Sequence, residues 1–521
     1  MSAALRRGAC PALSAPMPTG DGLLIRLSPV SGGLSPKSLI GLCESAARHG
    51  NGVVEVTARG SLQFRGFSAS SAERFAADVD ALGIAVRTGV PVEVSPLAGT
   101  DPADIADPVP IAERIRRAIA EAGLAGRLGP KVSVLVDGGG SVSLDSIAAD
   151  VRLTAEVRDG GVVWQVAIAG DAETAIPAGP FGEDAAVGYA LQVLQSIAAL
   201  GRDGRARDLP VGGRLDHWRP FAPPSVLPDI SPPGGEIRSV DLATPPSLAT
   251  SEIKAAGAIS PLVGEMSGRT EGGAKGRDLI EASSPPPSLP KRTVPLTVRL
   301  KSDRHTFPVT LPFGHIDAAP LIDLARHAEA LGIADIRPAP ARTLLPICPS
   351  LDSADALRAA AVRLGFVTDP ADPRSRIAAC PGAPACASGK IPAREIAERL
   401  AGALADLTDS DLSIHISGCE KGCARQAAAD IVIVGGENGA GLVVQGTPKA
   451  TPLAYRSADG LPRAIAAVAR ILTNLGAERA GGAKPVPEAI RSGRRPGDSD
   501  IAALTQDDKA RLAAAFEQGR P

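Results

Sequence analysis

Apolar residues recur at three- and four-residue intervals in SLIGLCESAARHG (residues 38–50), and the next stretch, NGVVEV, opens on a turn dipeptide and then runs mostly apolar. The first pattern predicts an amphipathic helix with one buried face, the second a turn and a strand. PLIDLARHAEALGIADI (320–336) carries the same helix, turn and strand order. Two further echoes follow in the same order. PLAGTDPADIADPVPIAERIRRAIAEAG (96–123) and CPGAPACASGKIPAREIAERLAGAL (380–404) each run from a Pro/Gly/Ala loop into a helix containing IAER. PKVSVLVDGGGSVSLDSIAADVRL (130–153) and DLSIHISGCEKGCARQAAADIVIV (411–434) each give a strand, a glycine-rich turn and a second strand led by AAD. Three paired segments in one order predict a duplicated α+β unit whose two copies are pseudo-symmetric.

Between the copies the patterning fails. Residues 221–292 are rich in Pro, Ser and Gly, and ISPLVGEMSGRTEGGAKGRD within them reads as an insertion. Such a stretch cannot bury enough apolar surface to offset its ordering entropy, so it reads as a linker. The expected layout is a first half-domain over 1–85 and a larger cysteine-free domain over 86–220. After the linker come a second half-domain over 293–370, a cysteine-bearing domain over 371–480, and a polar tail over 481–521 with a helix-like end.

Composition narrows the function classes. With only 2% aromatic residues the cores must be built from Ala, Val, Leu and Ile, and base stacking on aromatics is disfavoured. A formal net charge of −2 gives no polycationic surface for nucleic acid. No run approaches the ~18 apolar residues of a membrane helix, and no apolar segment follows Arg6 and Arg7, so a cytoplasmic protein without membrane contact is expected.

Seven cysteines, an odd number without a signal segment, do not suggest a disulfide framework. Cys380 and Cys386 have five residues between them, and Cys419 and Cys423 have three. Four thiolates are the usual ligands of a [4Fe-4S] cluster, and the glycines and prolines around them form loops whose amides can face sulfur. Structural zinc also takes four thiolates, but its paired cysteines more often have two to four residues between them. Cys10, Cys43 and Cys348 read instead as small buried hydrophobes.

In EVTARGSLQFRGF, residues 55–67, strand-like alternation is interrupted near Gly60, and Thr57, Arg59, Gln63 and Arg65 project as donors. Arginine is suited to fork onto carboxylates. His49 and His327 occupy equivalent helices and read as helix-end residues, and His415, in the strand before Cys419, reads as a satisfied core histidine. No G-x-G-x-x-G follows a strand, so a Rossmann nucleotide site is not supported.

These motifs together resemble the nitrite and sulfite reductase superfamily. Its members have two pseudo-symmetric copies of a ferredoxin-like half-domain plus an α/β domain that binds cluster and tetrapyrrole. Within it, RRGACPALSAPMPTGDGLLIRL, TARGSLQFRGF and LPFGHIDAAPLIDLA are similar to the precorrin-3B synthase family of aerobic cobalamin biosynthesis. The resemblance implies an O2-dependent monooxygenase that hydroxylates precorrin-3A at C-20 with γ-lactone formation. It implies cluster ligands at Cys380, Cys386, Cys419 and Cys423, and substrate contacts from Arg59, Gln63, Arg65 and Lys131. It also implies a mononuclear non-haem iron, whose ligands no 2-His-1-carboxylate spacing identifies, and NADH or NADPH as electron source through an external donor. In the reductases a second lysine follows Lys131, where this chain has Ser133. Losing that cation tilts the expectation away from a siroheme-dependent nitrite or sulfite reductase, which handles a small oxyanion. The rival from another class is a non-catalytic electron carrier or a zinc-stabilised binding module.

Overall fold

The computed structural model describes residues 11–30, 32–210, 297–404, 412–425, 427–479 and 504–519. Cys10, the linker 221–292 with its insertion, and 481–503 of the tail lie outside them. The chain divides into two compact units: Met1–Pro108 with Asp137–Ile147 and Pro290–Pro521, and Val109–Val136 with Ala148–Leu289.

The first unit contains both half-domain copies. Helix Pro36–His49, strands Val53–Val56 and Leu62–Phe67, and helix Ala69–Ala81 recur in order as helix Ala318–Ala330, strands Ile336–Ala339 and Thr343–Pro346, and helix Leu351–Arg363. Ser35 caps the first helix, accepting from the Ser38 amide, with Pro36 in the first turn, where its missing N–H costs nothing. The helices Pro36–His49 and Ala318–Ala330 pack together, and Leu39, Leu42, Leu321 and Leu324 join Phe64, Phe67 and Phe75 in one core.

The first sheet runs Met17–Thr19, Gly22–Leu27, Leu62–Phe67, Val53–Val56, His315–Asp317, all antiparallel. Its register aligns Ile25, Phe64, Val54 and Ile316 in one row and Arg26, Gln63, Glu55 and His315 in the next. Successive rows face opposite sides of a sheet, so one face closes the core and the other presents a line of polar groups.

In the rest of this unit the strands run Ile377–Ala379, Ile414–Ser417, Ala429–Gly436, Gly439–Gly446, Ala454–Arg456. The first three are parallel, so Ile377–Ala379 and Ile414–Ser417 end at the same edge. Helices Ala393–Ala403, Leu461–Arg479 and Gln506–Gln518 share a core with this sheet, including Leu400, Ile416, Leu442, Val468, Leu512 and Phe516. The helix-like end of the tail is thus a packed helix, capped by Thr505.

The second unit repeats the element order of that cysteine-bearing part. Helix Val109–Glu121 precedes strand Val134–Asp137, hairpin Ala149–Arg158 and Gly161–Gly170, strand Ile176–Phe181 and helix Glu183–Ala199. Val151, Leu153, Val166, Ile168, Val193 and Ile197 are buried there. The expected α+β duplication is therefore present in the order of elements.

Candidate functional site

Cys380 directly follows strand Ile377–Ala379, and Cys419 and Cys423 follow strand Ile414–Ser417. Because these strands are parallel neighbours, their carboxyl ends bring the two cysteine loops together, where α/β sheets commonly bind ligands. The loops meet through glycines. A Cβ on Gly418 would lie 2.9 Å from Gly382 Cα and 3.4 Å from Cys380 Sγ, so only glycine permits the approach. The Gly418 N–H donates to Cys380 Sγ at 3.0 Å, and Lys390 N–H donates to the Gly418 carbonyl at 2.7 Å.

The four thiols share one environment. Burial, together with Cys386 and Cys419 nearby, raises the Cys380 thiol, although the Gly418 and Gly382 amides oppose this. Burial, together with Cys380, Cys419 and Cys386, raises Cys423. Such thiols stay protonated until a cation displaces the proton. Among the described residues no group of three or more His, Cys, Asp or Glu side chains is placed to hold a single metal ion.

The polar face of the first sheet braces the Cys386 loop. Arg65, 4% exposed, donates to both Asp21 oxygens at 2.8 and 3.0 Å and to the Ala385 carbonyl at 2.6 Å. The Gly20 amide reaches the same carbonyl at 3.1 Å. Glu55, buried beside them, accepts from Gln63 at 2.6 Å and from Arg394, with Arg65 at 3.7 Å. Burial pushes the Glu55 carboxyl up, but Arg394 and Arg65 outweigh it and hold it below its usual range. Asp21 follows the same pattern, with Arg65 outweighing burial.

A cationic group lies near the thiols. Arg342 donates to the Ala424 carbonyl between Cys423 and Arg425, and burial with the fields of Arg394 and Arg425 lowers its guanidinium to about 10. Burial and the same kind of field from Arg342 and Arg425 lower His415 to about 4. His415 is a core residue as expected but not a satisfied one, since neither ring nitrogen has a hydrogen-bond partner. Cys43 and Cys348 are fully buried, and burial pushes their thiols up, Cys348 to about 12.

Residues 15–82 match the family described as nitrite/sulfite reductase ferredoxin-like half domain. Among solved structures, the NirA protein of Mycobacterium tuberculosis superposes with a TM-score of 0.60 at 17% identity, covering 94% of this chain and 84% of that one, a likeness of fold. A precorrin-3B synthase from Sinorhizobium sp is 34% identical over 519 residues, 99% of this chain and 96% of its own. The chain belongs to the precorrin-3B synthase family.

Within this family member, the residues expected at the site fall into three places. Gln63 and Arg65 lie on the polar sheet face and engage Glu55, Asp21 and the cysteine loop. Arg59 sits in the turn between the two strands and pairs with Glu93 at 3.0 Å, its side chain 35% exposed. Lys131 is exposed in the second unit. Ser133 there is buried, its amide donating to Asp150 at 3.0 Å, and Asp150 is held by Arg205 at 2.9 and 3.0 Å. Asp21, Glu55, Arg342, Arg394 and Arg425 were not expected. The glutamate next to Val54 in the quoted strand was the one available hint, because register places it beside Gln63.

No helix among the described residues is long and apolar enough to cross a membrane.

Proposed function

We propose that this chain hydroxylates precorrin-3A at C-20 using O2, with a γ-lactone formed from the ring A acetate, drawing electrons that originate in NADH or NADPH through an external donor. The observation that carries the reading is the 34% identity to a precorrin-3B synthase along nearly the whole chain.

Cys380, Cys386, Cys419 and Cys423 would hold a [4Fe-4S] cluster. Several features support the fit: four neighbouring thiols at the ends of parallel strands, an amide aimed at Cys380 Sγ, and glycines that leave no room for other side chains. Zinc at ~2.3 Å from each sulfur needs thiols gathered around one ion, which is a poorer match to groups that influence one another without converging on a single-ion position. When bound, the cluster supplies electrons one at a time. A mononuclear iron finds no ready ligand set among the described residues.

The protein's own part is positioning. Arg59, half-buried beside Glu93, and Lys131, exposed on the second unit, are each cations of the kind that pairs with a substrate carboxylate. Gln63 and Arg65 act through Glu55, Asp21 and the Ala385 carbonyl, fixing the loop that carries Cys386. Correct placement of reactants is worth several kcal/mol of barrier, so a loop displaced by ~1 Å is costly.

The test is conversion of precorrin-3A by anaerobically reconstituted protein on addition of a reductant, with and without O2. O2-dependent loss of substrate is expected, and substrate that persists in the presence of a loaded cluster would count against the proposal.

A further inference from the structure

We propose that Arg342 is a positioning residue of the cysteine centre, whose guanidinium, with those of Arg394 and Arg425, compensates the negative charge of the ligated cluster and holds its reduction potential up. The inference rests on the cluster reading above.

The backbone delivers Arg342 at some cost. Ala341 and Arg342 end the short loop between strands Ile336–Ala339 and Thr343–Pro346, and both adopt positive φ, 59° and 65°. Consecutive left-handed residues bearing a Cβ are strained and persist only where the surroundings impose them. Here the Ala341 amide donates to Ala58 at 3.0 Å, and the Arg342 carbonyl accepts from Leu311 at 3.1 Å. The path of the side chain is kept clear by Gly314, φ 83°, where a Cβ would lie 2.3 Å from Arg342 Cδ. Its guanidinium then ends on the Ala424 carbonyl, one residue after Cys423.

The charges around it do not balance. Arg394, Arg425, Cys380 and Glu55 all act on Arg342. Glu55 is shared with Arg65 and Gln63, and Asp21 is taken up by Arg65. The buried guanidiniums of Arg65, Arg342 and Arg394 therefore share Glu55 and Asp21, and Arg342 itself ends on a backbone carbonyl beside Cys423, which leaves positive charge standing against the thiols. Crowded buried cations are unfavourable unless an anion completes the set. A cubane held by four thiolates is such an anion, and it becomes more negative on reduction. Cations beside it favour the reduced form, as net charge and nearby donors generally do for these centres. His415, kept neutral in the same field and without a hydrogen-bond partner, does not offset the surplus.

The experiment compares the parent chain with Arg342→Gln, Arg342→Lys and Arg425→Gln, with exposed Arg74→Gln as control. Each is reconstituted anaerobically, assayed for iron and sulfide, and titrated with reductant while the reduced cluster is followed by electron paramagnetic resonance. The expected result is a loaded Arg342→Gln whose midpoint lies below the parent's, a smaller fall in the same direction for Arg425→Gln, and Arg342→Lys and Arg74→Gln close to the parent. If Arg342→Gln does not load, the fall in Arg425→Gln carries the test. Loaded variants with the parent's midpoint, or a higher one, would overturn the inference alone. A parent chain that takes up no iron and sulfide would overturn the cluster reading as well.

Discussion

Glu55 is the anion on which the brace depends, and replacing it with glutamine keeps its size while removing its charge. In the folded chain its oxygens accept from Gln63 at 2.6 Å and from Arg394, and Arg65 lies 3.7 Å away. With side chains 4% exposed at Glu55 and Arg65 and 15% at Arg394, water cannot substitute for it. Removing one partner of a buried pair costs about 3 to 5 kcal/mol. Arg65 retains Asp21, which leaves Arg394 as the main stranded charge, so Glu55→Gln should sit near the lower end, about 3 kcal/mol. The pH dependence has a definite sign. The folded-state pKa lies below the ordinary 4.5, so the contribution is complete above that value and is lost as pH falls through the lower folded value. Denaturant unfolding followed from pH 7 down to pH 3 should show parent and variant far apart at neutral pH and converging below about pH 4.5. A neutral-pH loss under ~1 kcal/mol, the size of an exposed pair, or a gap that persists in acid, would mean that Glu55 is not the anion that holds Arg394.

Three other outcomes follow from the same geometry. Cys380→Ser, reconstituted anaerobically, should lose most bound iron and sulfide by colorimetric assay while its circular dichroism stays near the parent's, since serine fits the thiol's space. Ser133→Lys should destabilise the second unit by about 3 kcal/mol in a thermal melt rather than confer sulfite reduction, because the position is buried. Phe516→Ala should cost about 3 to 5 kcal/mol, read as a lowered denaturation midpoint, because Phe516 is fully buried between the last helix and the cysteine-bearing sheet.

The duplication was legible in the sequence because it is written in local periodicity. SLIGLCESAARHG and PLIDLARHAEALG carry the same apolar spacing, and each forms the helix that spacing predicts. Loop cysteines were legible too, since their spacing and glycines are local. What the chain order conceals is register. Alternation placed Gln63 and Arg65 on one strand face, but only pairing with strands Gly22–Leu27 and Val53–Val56 brings Arg26 and Glu55 beside Gln63. Asp21 reaches Arg65 across 44 residues, and Ala385 reaches it across 320. Arg342, Arg394 and Arg425 come from separate loop and helix positions, and nothing in ARTLLP signals a left-handed arginine. Composition indicated that Ala, Val, Leu and Ile would fill the cores, and the cluster around Ala464, Ala466 and Ala467 agrees, whereas the half-domain core concentrates the few phenylalanines, Phe64, Phe67 and Phe75 among them.

Oxygen insertion into the tetrapyrrole is read out by mass spectrometry. Reconstituted protein, precorrin-3A and a reductant are exposed to 18O2, and the macrocycle is isolated. The expected product is heavier by one 18O atom, carried as a hydroxyl at C-20. A macrocycle of unchanged mass, or one whose added oxygen comes from water, would contradict insertion from O2.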